Sequence, residues 1–414
     1  MKRLAVIGGG AAGFFTAINA KIMSQDLDVT IFEATPRVLT KVKISGGGRC
    51  NVTHNLFEPK ALSENYPRGK RELIGPFHGF QPSDTVKWFS ERGLNLKAEA
   101  DGRMFPESNR SSSVIDVFTS EVDKLGISVR TKTLVKGIEP IKHQEGSPVF
   151  RLDLRSHPSE SFDFVVIATG SAPFGYDLLK KLQHRFVETV PSLFTFEVGD
   201  DLFTGLPGTS FENATLNLKV GGKQFKQKAP LLFTHWGLSG PSVLKLSAFA
   251  ARELKEADYN ARLSINFTEL STEEALTNIS KVRESEGNKS IKRSPLFGTS
   301  KRFWESLCSQ IWKSDMVWSA ASKKDLRRLS EKLTRYDVQV EGKGVFKDEF
   351  VSAGGADLRD INFKTMESKL HKGLFVVGEV LNIDGITGGF NFQNAWTGGW
   401  LCAQRLRVLA GSEL

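Results

Sequence analysis

Apolar residues fall in two different patterns along the chain. Near the N-terminus they come in short continuous runs, Leu4 to Ile7, Val29 to Phe32 and Phe162 to Ile167. A further run, Gly373-Leu-Phe-Val-Val-Gly378, lies close to the C-terminus. Continuous runs bounded by glycine predict strands buried on both faces, hence a parallel sheet covered by helices. From about Pro191 the character changes. Leu193 to Val198, Ala214 to Val220 and Leu231 to Thr234 are separated by the turn sequences Gly205-Leu206-Pro207-Gly208 and Val220-Gly221-Gly222-Lys223. That spacing predicts a small antiparallel sheet or barrel. Thr272 to Val282, Ser300 to Trp312 and Lys323 to Thr334 then follow a helical period, the first opened by the capping-box sequence Ser271-Thr-Glu-Glu274. The polar stretch from Glu284 to Pro295 reads as a mobile loop. Tyr336 to Val340 is strand-like, and α/β character resumes near Val345 to Phe350.

These patterns predict an α/β protein. A split dinucleotide-binding domain would occupy residues 1–190 and 346–414, with an inserted domain over 191–345. The insert divides into a β-barrel over 191–268 and 335–345 and a helical subdomain over 269–334. A chain of 414 residues is long enough for this plan.

Composition narrows the function class. Three cysteines, Cys50, Cys308 and Cys402, are widely spread and form no C-x-x-C pair, so neither a disulfide framework nor a zinc ribbon is implied. The seven histidines show no metal-ligand spacing, and no metal is expected. No apolar run spans a bilayer and no signal peptide is visible, so a cytoplasmic protein without a membrane partner is expected. The net charge of +9 raises nucleic acid as a partner. The basic residues are scattered, and the bland reading is a solvated surface. Composition leaves the oligomeric state open.

Four motifs carry candidate chemistry. The first is Val6-Ile-Gly8-Gly9-Gly10-Ala11-Ala12-Gly13, a strand running into G-x-G-x-x-G, with Glu33 at the end of the next strand and Ala34 after it. Gly8 permits a tight turn, Gly10 lets a pyrophosphate approach the backbone, and Gly13 allows close helix packing. Glu33 would accept from the adenosine ribose, which disfavours a 2′-phosphate. The second is Lys41-Val-Lys-Ile-Ser45-Gly46-Gly47-Gly48-Arg49-Cys50-Asn51, a loop of exposed N–H groups suited to a phosphate or a flavin edge. The third is the strand ending Ala168-Thr169-Gly170. The fourth is Gly378-Glu379 followed by Asp384 and Gly388-Gly389-Phe390-Asn391-Phe392-Gln393. Glu379 can take a ribityl hydroxyl. The helix opening near Asn391 can place its N-terminus at the flavin pyrimidine, where reduction adds negative charge.

Taken together these segments resemble the YhiN/BaiN-type flavoproteins, also known as the aminoacetone-oxidase family of NAD(P)/FAD-dependent oxidoreductases. Further matches are Asp101-Gly-Arg-Met-Phe-Pro106, Phe233 to Pro241, Ser352 to Gly355 and Thr365 to Lys369. The resemblance covers nearly the whole chain. It implies FAD in a two-dinucleotide-binding-type Rossmann domain, an inserted antiparallel β-barrel with a helical subdomain, and backbone contact from Val135 to adenine. The chain has Leu39-Thr-Lys-Val-Lys43 where Gly-Arg-Lys-Leu-Leu is usual, with Lys41 in register as a point charge.

The acid or base is harder to find. His235 is the candidate, with a structural role in a barrel corner as the alternative. Cys50 has no partner for dithiol chemistry, and Trp396 and Trp400 read as packing. There is no second G-x-G-x-x-G, so NADH or NADPH would dock only transiently as donor. The expected activity is an FAD-dependent oxidation or reduction of a small organic substrate by hydride transfer at flavin N5. Reduction of a conjugated carbonyl and oxidation of an amine both fit. An RNA-modifying flavoprotein and a flavin-bound scaffold without turnover are the alternatives from other classes.

Overall fold

The computed structural model describes residues 1–142, 148–344 and 351–411. The predicted return to α/β character at residues 345–350 lies outside them. The chain forms two compact units, one from Met1–Thr189 with Val351–Leu414 and the other from Val190–Phe350.

The first unit is built on five parallel strands: β1 (Arg3–Ile7), β2 (Asp28–Phe32), β3 (Ser128–Arg130), β4 (Phe164–Ile167) and β5 (Leu374–Val376). They lie in the order β5-β4-β1-β2-β3, extended beyond β5 by two short antiparallel strands. Their apolar runs are almost wholly buried, as a sheet covered on both faces requires. Helix α1 (Ala11–Met23) and the long helix α2 (Phe390–Ala410) cross where a Cβ on Gly399 would lie only 2.8 Å from Thr16 Oγ1. A sheet of three antiparallel strands, Val135–Lys142, Pro148–Leu154 and Glu160–Phe162, leads the chain from β3 towards β4.

The second unit is an antiparallel barrel carrying helices. Its longest strands, Ser210–Val220 and Lys223–Thr234, form a hairpin turned by Gly221 and Gly222, both at positive φ. Closure is made by one continuous segment. Tyr336–Val340 pairs with Ala261–Asn266 at one edge of the sheet. One residue later Gly342–Lys343 pairs with Phe196–Glu197 at the other. The barrel therefore has no open edge there.

The helices of the insert follow their sequence signals. Thr272–Ser285 opens on a full capping box between Ser271 and Glu274, and Lys323–Thr334 matches its apolar period. The polar stretch from Glu284 to Pro295 departs from expectation. Ile291 within it is fully buried, its N–H donates to Met316 O (2.8 Å), and its carbonyl accepts from Trp304 Nε1 (2.7 Å). A single apolar residue pins this stretch to the helical core.

Candidate functional site: a dinucleotide cradle

The turn after β1 separates two kinds of glycine. A Cβ on Gly8 (φ +118°) would sit 2.4 Å from Ala168 O, and one on Gly13 would sit 2.0 Å from Gly8 O. Both glycines are demanded by the packing of β1, β4 and α1. Gly10 is different. Its φ of −94° suits any residue, and nothing lies within 4 Å of where its Cβ would be. The protein itself gives no reason for glycine there. The open space lies before the N–H groups of Ala11, Ala12 and Gly13, which precede the first intrahelical bond, from Phe14 N to Gly10 O (3.0 Å). Free N–H groups at a helix N-terminus beside a cradle that a Cβ would fill fit a pyrophosphate.

Glu33 is fixed beside that turn. Its Oε2 accepts from Gly9 N–H and its Oε1 from Thr35 N–H, both at 2.8 Å. Each oxygen keeps a lone pair for a sugar hydroxyl. Ala34 follows it in the chain. The Glu33 carbonyl accepts from Thr133 N–H (2.9 Å), which draws the segment leading to the buried Val135 alongside.

The third motif meets the start of the fourth. Lys41 Nζ donates to Ser171 Oγ (3.0 Å) and pairs with Glu379. A Cβ on Gly170 (φ +58°) would lie 3.7 Å from Glu379 Oε2. Gly378 (φ +81°) brings the end of β5 against α1, with its Cβ position 2.9 Å from that of Ala12. Buried in this neighbourhood, Thr169 Oγ1 and Tyr176 OH have no hydrogen-bond partner among the described residues. Burial, and then the Glu379 charge, push the Tyr176 hydroxyl well above the usual phenol range. Orphaned buried donors cost stability unless a partner arrives, and here they border a cradle that fits a dinucleotide.

The glycine triplet is shaped as its sequence suggests. The helical segment Thr40–Gly48 breaks at Ser45, after which Gly46, Gly47 and Gly48 all take positive φ. Gly47 and Gly48 face open space. With its amide nitrogen donating to Thr53 O (3.0 Å), the Asn51 oxygen accepts from Gly389 N–H (3.0 Å). A Cβ on Gly389 would lie 2.5 Å from Thr53 O. The structure thus brings the second and fourth motifs together at the Gly388-Gly389 turn. Phe390 stacks on His54 there, centroids 4.8 Å apart.

Several expected ligand contacts are instead structural. Gln393 is fully buried, accepting from Thr53 Oγ1 (2.6 Å) and Thr85 Oγ1 (2.9 Å) and donating to Thr397 Oγ1 (3.1 Å). It holds α2 to its neighbours. Asn391 is locked reciprocally to the Gly385 backbone at 2.8 and 2.9 Å, so its amide shapes the turn. Asp384 is fully buried in a two-point ion pair with Arg68. Arg49 pairs with Glu99 (2.6 Å) and lies over the Phe105 ring. The Cys50 thiol is fully buried and pushed up to about 12 by burial, which the hydrogen bond with Ser45 only partly offsets. His235 is exposed in the turn between Lys223–Thr234 and Gly237–Ser239 of the second unit.

Sequence reasoning missed the partners of these groups. Arg68, Thr53, Thr85 and Tyr66, whose hydroxyl donates to Phe390 O (2.6 Å), stand far from them along the chain. No local signal announces them.

The family described as HI0933-like protein Rossmann domain matches residues 2–405. The chain belongs to this family. By family it is an FAD-dependent oxidoreductase. A ribosomal RNA dihydrouridine synthase of Haemophilus influenzae (strain ATCC 51907 / DSM 11121 / KW20 / Rd) is 27% identical over 407 residues, 96% of each chain. A 3-dehydro-bile acid delta(4,6)-reductase of Clostridium scindens (strain ATCC 35704 / DSM 5676 / VPI 13733 / 19) is 26% identical over 422 residues, 98% of each chain. Among solved structures, the 3-ketosteroid delta1-dehydrogenase from Sterolibacterium denitrificans shares the fold, with a TM-score of 0.51, 10% identity, and cover of 99% of this chain and 100% of that one. Among the described residues no helix is long and apolar enough to cross a membrane.

Proposed function

We propose that this protein reduces a carbon–carbon double bond conjugated to a carbonyl, and that its substrate is a uracil ring carried by RNA. One observation carries the reading. Relatives matched over nearly their whole length are named for a ribosomal RNA dihydrouridine synthase and a bile acid delta(4,6)-reductase. These substrates look unrelated, yet both reactions saturate a C=C bond conjugated to a carbonyl. Oxidation of an amine has no such support.

Bound FAD, once reduced, supplies the hydride at N5. The hydride adds to the carbon β to the carbonyl, and a proton then joins the α carbon, so two electrons and two protons saturate the bond. The chain's own residues hold and orient. The Gly8 to Gly13 turn and the first N–H groups of α1 take the pyrophosphate, and Glu33 takes the adenosine ribose. Glu379, poised by Lys41, addresses the ribityl chain. The turn at Gly388-Gly389 gives the flavin ring a glycine surface without Cβ atoms, in a site fixed before substrate arrives. NADH or NADPH is the proposed electron source, docking transiently.

The test is anaerobic. Purified protein is mixed with NADH or NADPH and flavin bleaching is followed. Unmodified ribosomal RNA transcript, free uridine and a 3-keto-4-ene steroid are then offered to the reduced protein. Reoxidation with dihydrouridine appearing in the RNA supports the proposal. Reoxidation by the steroid alone assigns a different conjugated substrate. Bleaching by amines with no response to any conjugated acceptor overturns the reading.

A further inference from the structure

We infer that the outer face of the insert's barrel sheet is a docking surface for an RNA phosphate backbone, a step that rests on the RNA reading above. The argument starts from strand register. Along Ser210–Val220, Leu216, Leu218 and Val220 point into the barrel core, so Thr215, Asn217 and Lys219 point outward. On the neighbouring strand Leu263 and Ile265 point in and Arg262 and Ser264 point out. Register places Lys219 directly opposite Arg262. Lys226 faces Asn217, and Gln224 faces Lys219 from the other side. Gln339 faces Arg262, and Asp337 faces Ser264.

Two like charges opposite each other on paired strands destabilise a sheet. Lys219 and Arg262 are both exposed, and neither makes an ion pair among the described residues; the same holds for Lys226. Their neighbours show how easily this is relieved, since Lys223 is paired with Glu253 and Lys228 with Glu269. Two acids face outward on these strands, Glu212 and Asp337, and neither is paired with any of the three cations among the described residues. A like-charge pair beside a third free cation favours a polyanion, whose phosphates would remove the repulsion. The rest of the face is amide and hydroxyl, from Asn217, Gln224, Ser264 and Gln339, suited to phosphate and sugar oxygens. Among the described residues of these strands Leu232 is the one exposed large apolar side chain, too little for a membrane-inserting surface.

The test measures binding of fragments of unmodified ribosomal RNA transcript by fluorescence anisotropy across a salt series, using the FAD-loaded protein. The double variant Lys219→Gln/Arg262→Gln should bind about tenfold more weakly at 0.1 M salt, and its slope of log affinity against log salt should fall by about 2. Lys223→Gln, whose charge Glu253 already neutralises, should leave the slope unchanged. Flavin bleaching by the nicotinamide donor should be the same in all three proteins, and melting temperatures should show the double variant folded. An unchanged slope in the double variant, with the parent protein still binding RNA, overturns the docking surface and leaves the RNA reading intact. An equal loss in Lys223→Gln overturns it also, by showing a diffuse charge effect. A parent protein that neither binds nor reduces RNA removes both. Loss of binding to phosphatidylserine vesicles, with RNA binding unchanged, assigns the face to a membrane and overturns the proposal.

Discussion

Asn51 and Gly389 come from opposite ends of the chain, and a 3.0 Å hydrogen bond joins them. The side chain that closes the glycine-triplet loop thereby caps the turn that opens α2. Gly389 is crowded against Thr53 O at the same place, so the loop and the helix end are packed directly against each other. Asn51→Ala should leave the Gly389 N–H without this acceptor. A loss of about 1–3 kcal/mol, the cost of an unsatisfied buried group, should appear as a lower melting temperature. Asn51→Asp, which keeps an acceptor, should recover part of it.

The two kinds of glycine at the cradle should separate in experiment. Gly13→Ala would force a Cβ to within 2.0 Å of Gly8 O and should give a misfolded protein. Gly10→Ala meets no protein atom and should fold with a near-normal melting temperature. It should still lose FAD affinity, because the new methyl enters the pyrophosphate's space. Calorimetric titration of the apoprotein with FAD, beside thermal melts, checks both. Equal FAD affinity in Gly10→Ala and the parent protein would contradict the cradle.

Glu33 should act on affinity. Its carboxylate is held by Gly9 and Thr35 and left with lone pairs for a ribose. Glu33→Ala should weaken FAD binding by about 1–3 kcal/mol, the scale of charge-assisted hydrogen bonds. Titration of the apoprotein reads this directly.

Gln393 should act on stability. Three threonine hydroxyls depend on its amide. Gln393→Leu leaves the Thr53 hydroxyl unpaired in the interior and takes one bond each from Thr85 and Thr397, which keep Gln81 O and Phe80 O, and should cost about 2–4 kcal/mol in urea unfolding. The flavin midpoint potential of whatever protein folds should barely change. A fall of tens of millivolts in a fully stable variant would restore this residue to the cofactor site.

Thiol chemistry gives the pH test. All three cysteines are buried. Burial raises the Cys50 thiol to about 12, and Cys308 likewise to about 12. A raised thiol pKa means the neutral form persists on going up from neutral pH and the thiolate forms only as pH approaches that value. Ellman's reagent at pH 8 should therefore find no reactive thiol in the native protein and all three in guanidinium. A fast-reacting Cys50 at pH 8 would place it at an open, charged site.

What the sequence by itself determined was whatever local interactions decide. Strand β1, the turn with Gly8, Gly10 and Gly13, and Glu33 just after β2 were readable because neighbours in the chain build them. So were the Ser271 capping box, the helix Lys323–Thr334 and the strand Tyr336–Val340, whose periods report one buried face. The run of amides after Gly389 was legible as important, but its partners in the protein were not. An amide beside a glycine turn can serve a ligand or a distant backbone equally well. Only tertiary structure decided, by setting Asn391 on Gly385 and Gln393 among Thr53, Thr85 and Thr397. It likewise buried Asp384 against Arg68, Cys50 in the core and Ile291 beneath Trp304. Register did the rest, closing the barrel across Glu341 and setting Lys219 opposite Arg262. Pairing across strands depends on contacts between segments far apart in the chain, and periodicity within one segment carries no record of its partner.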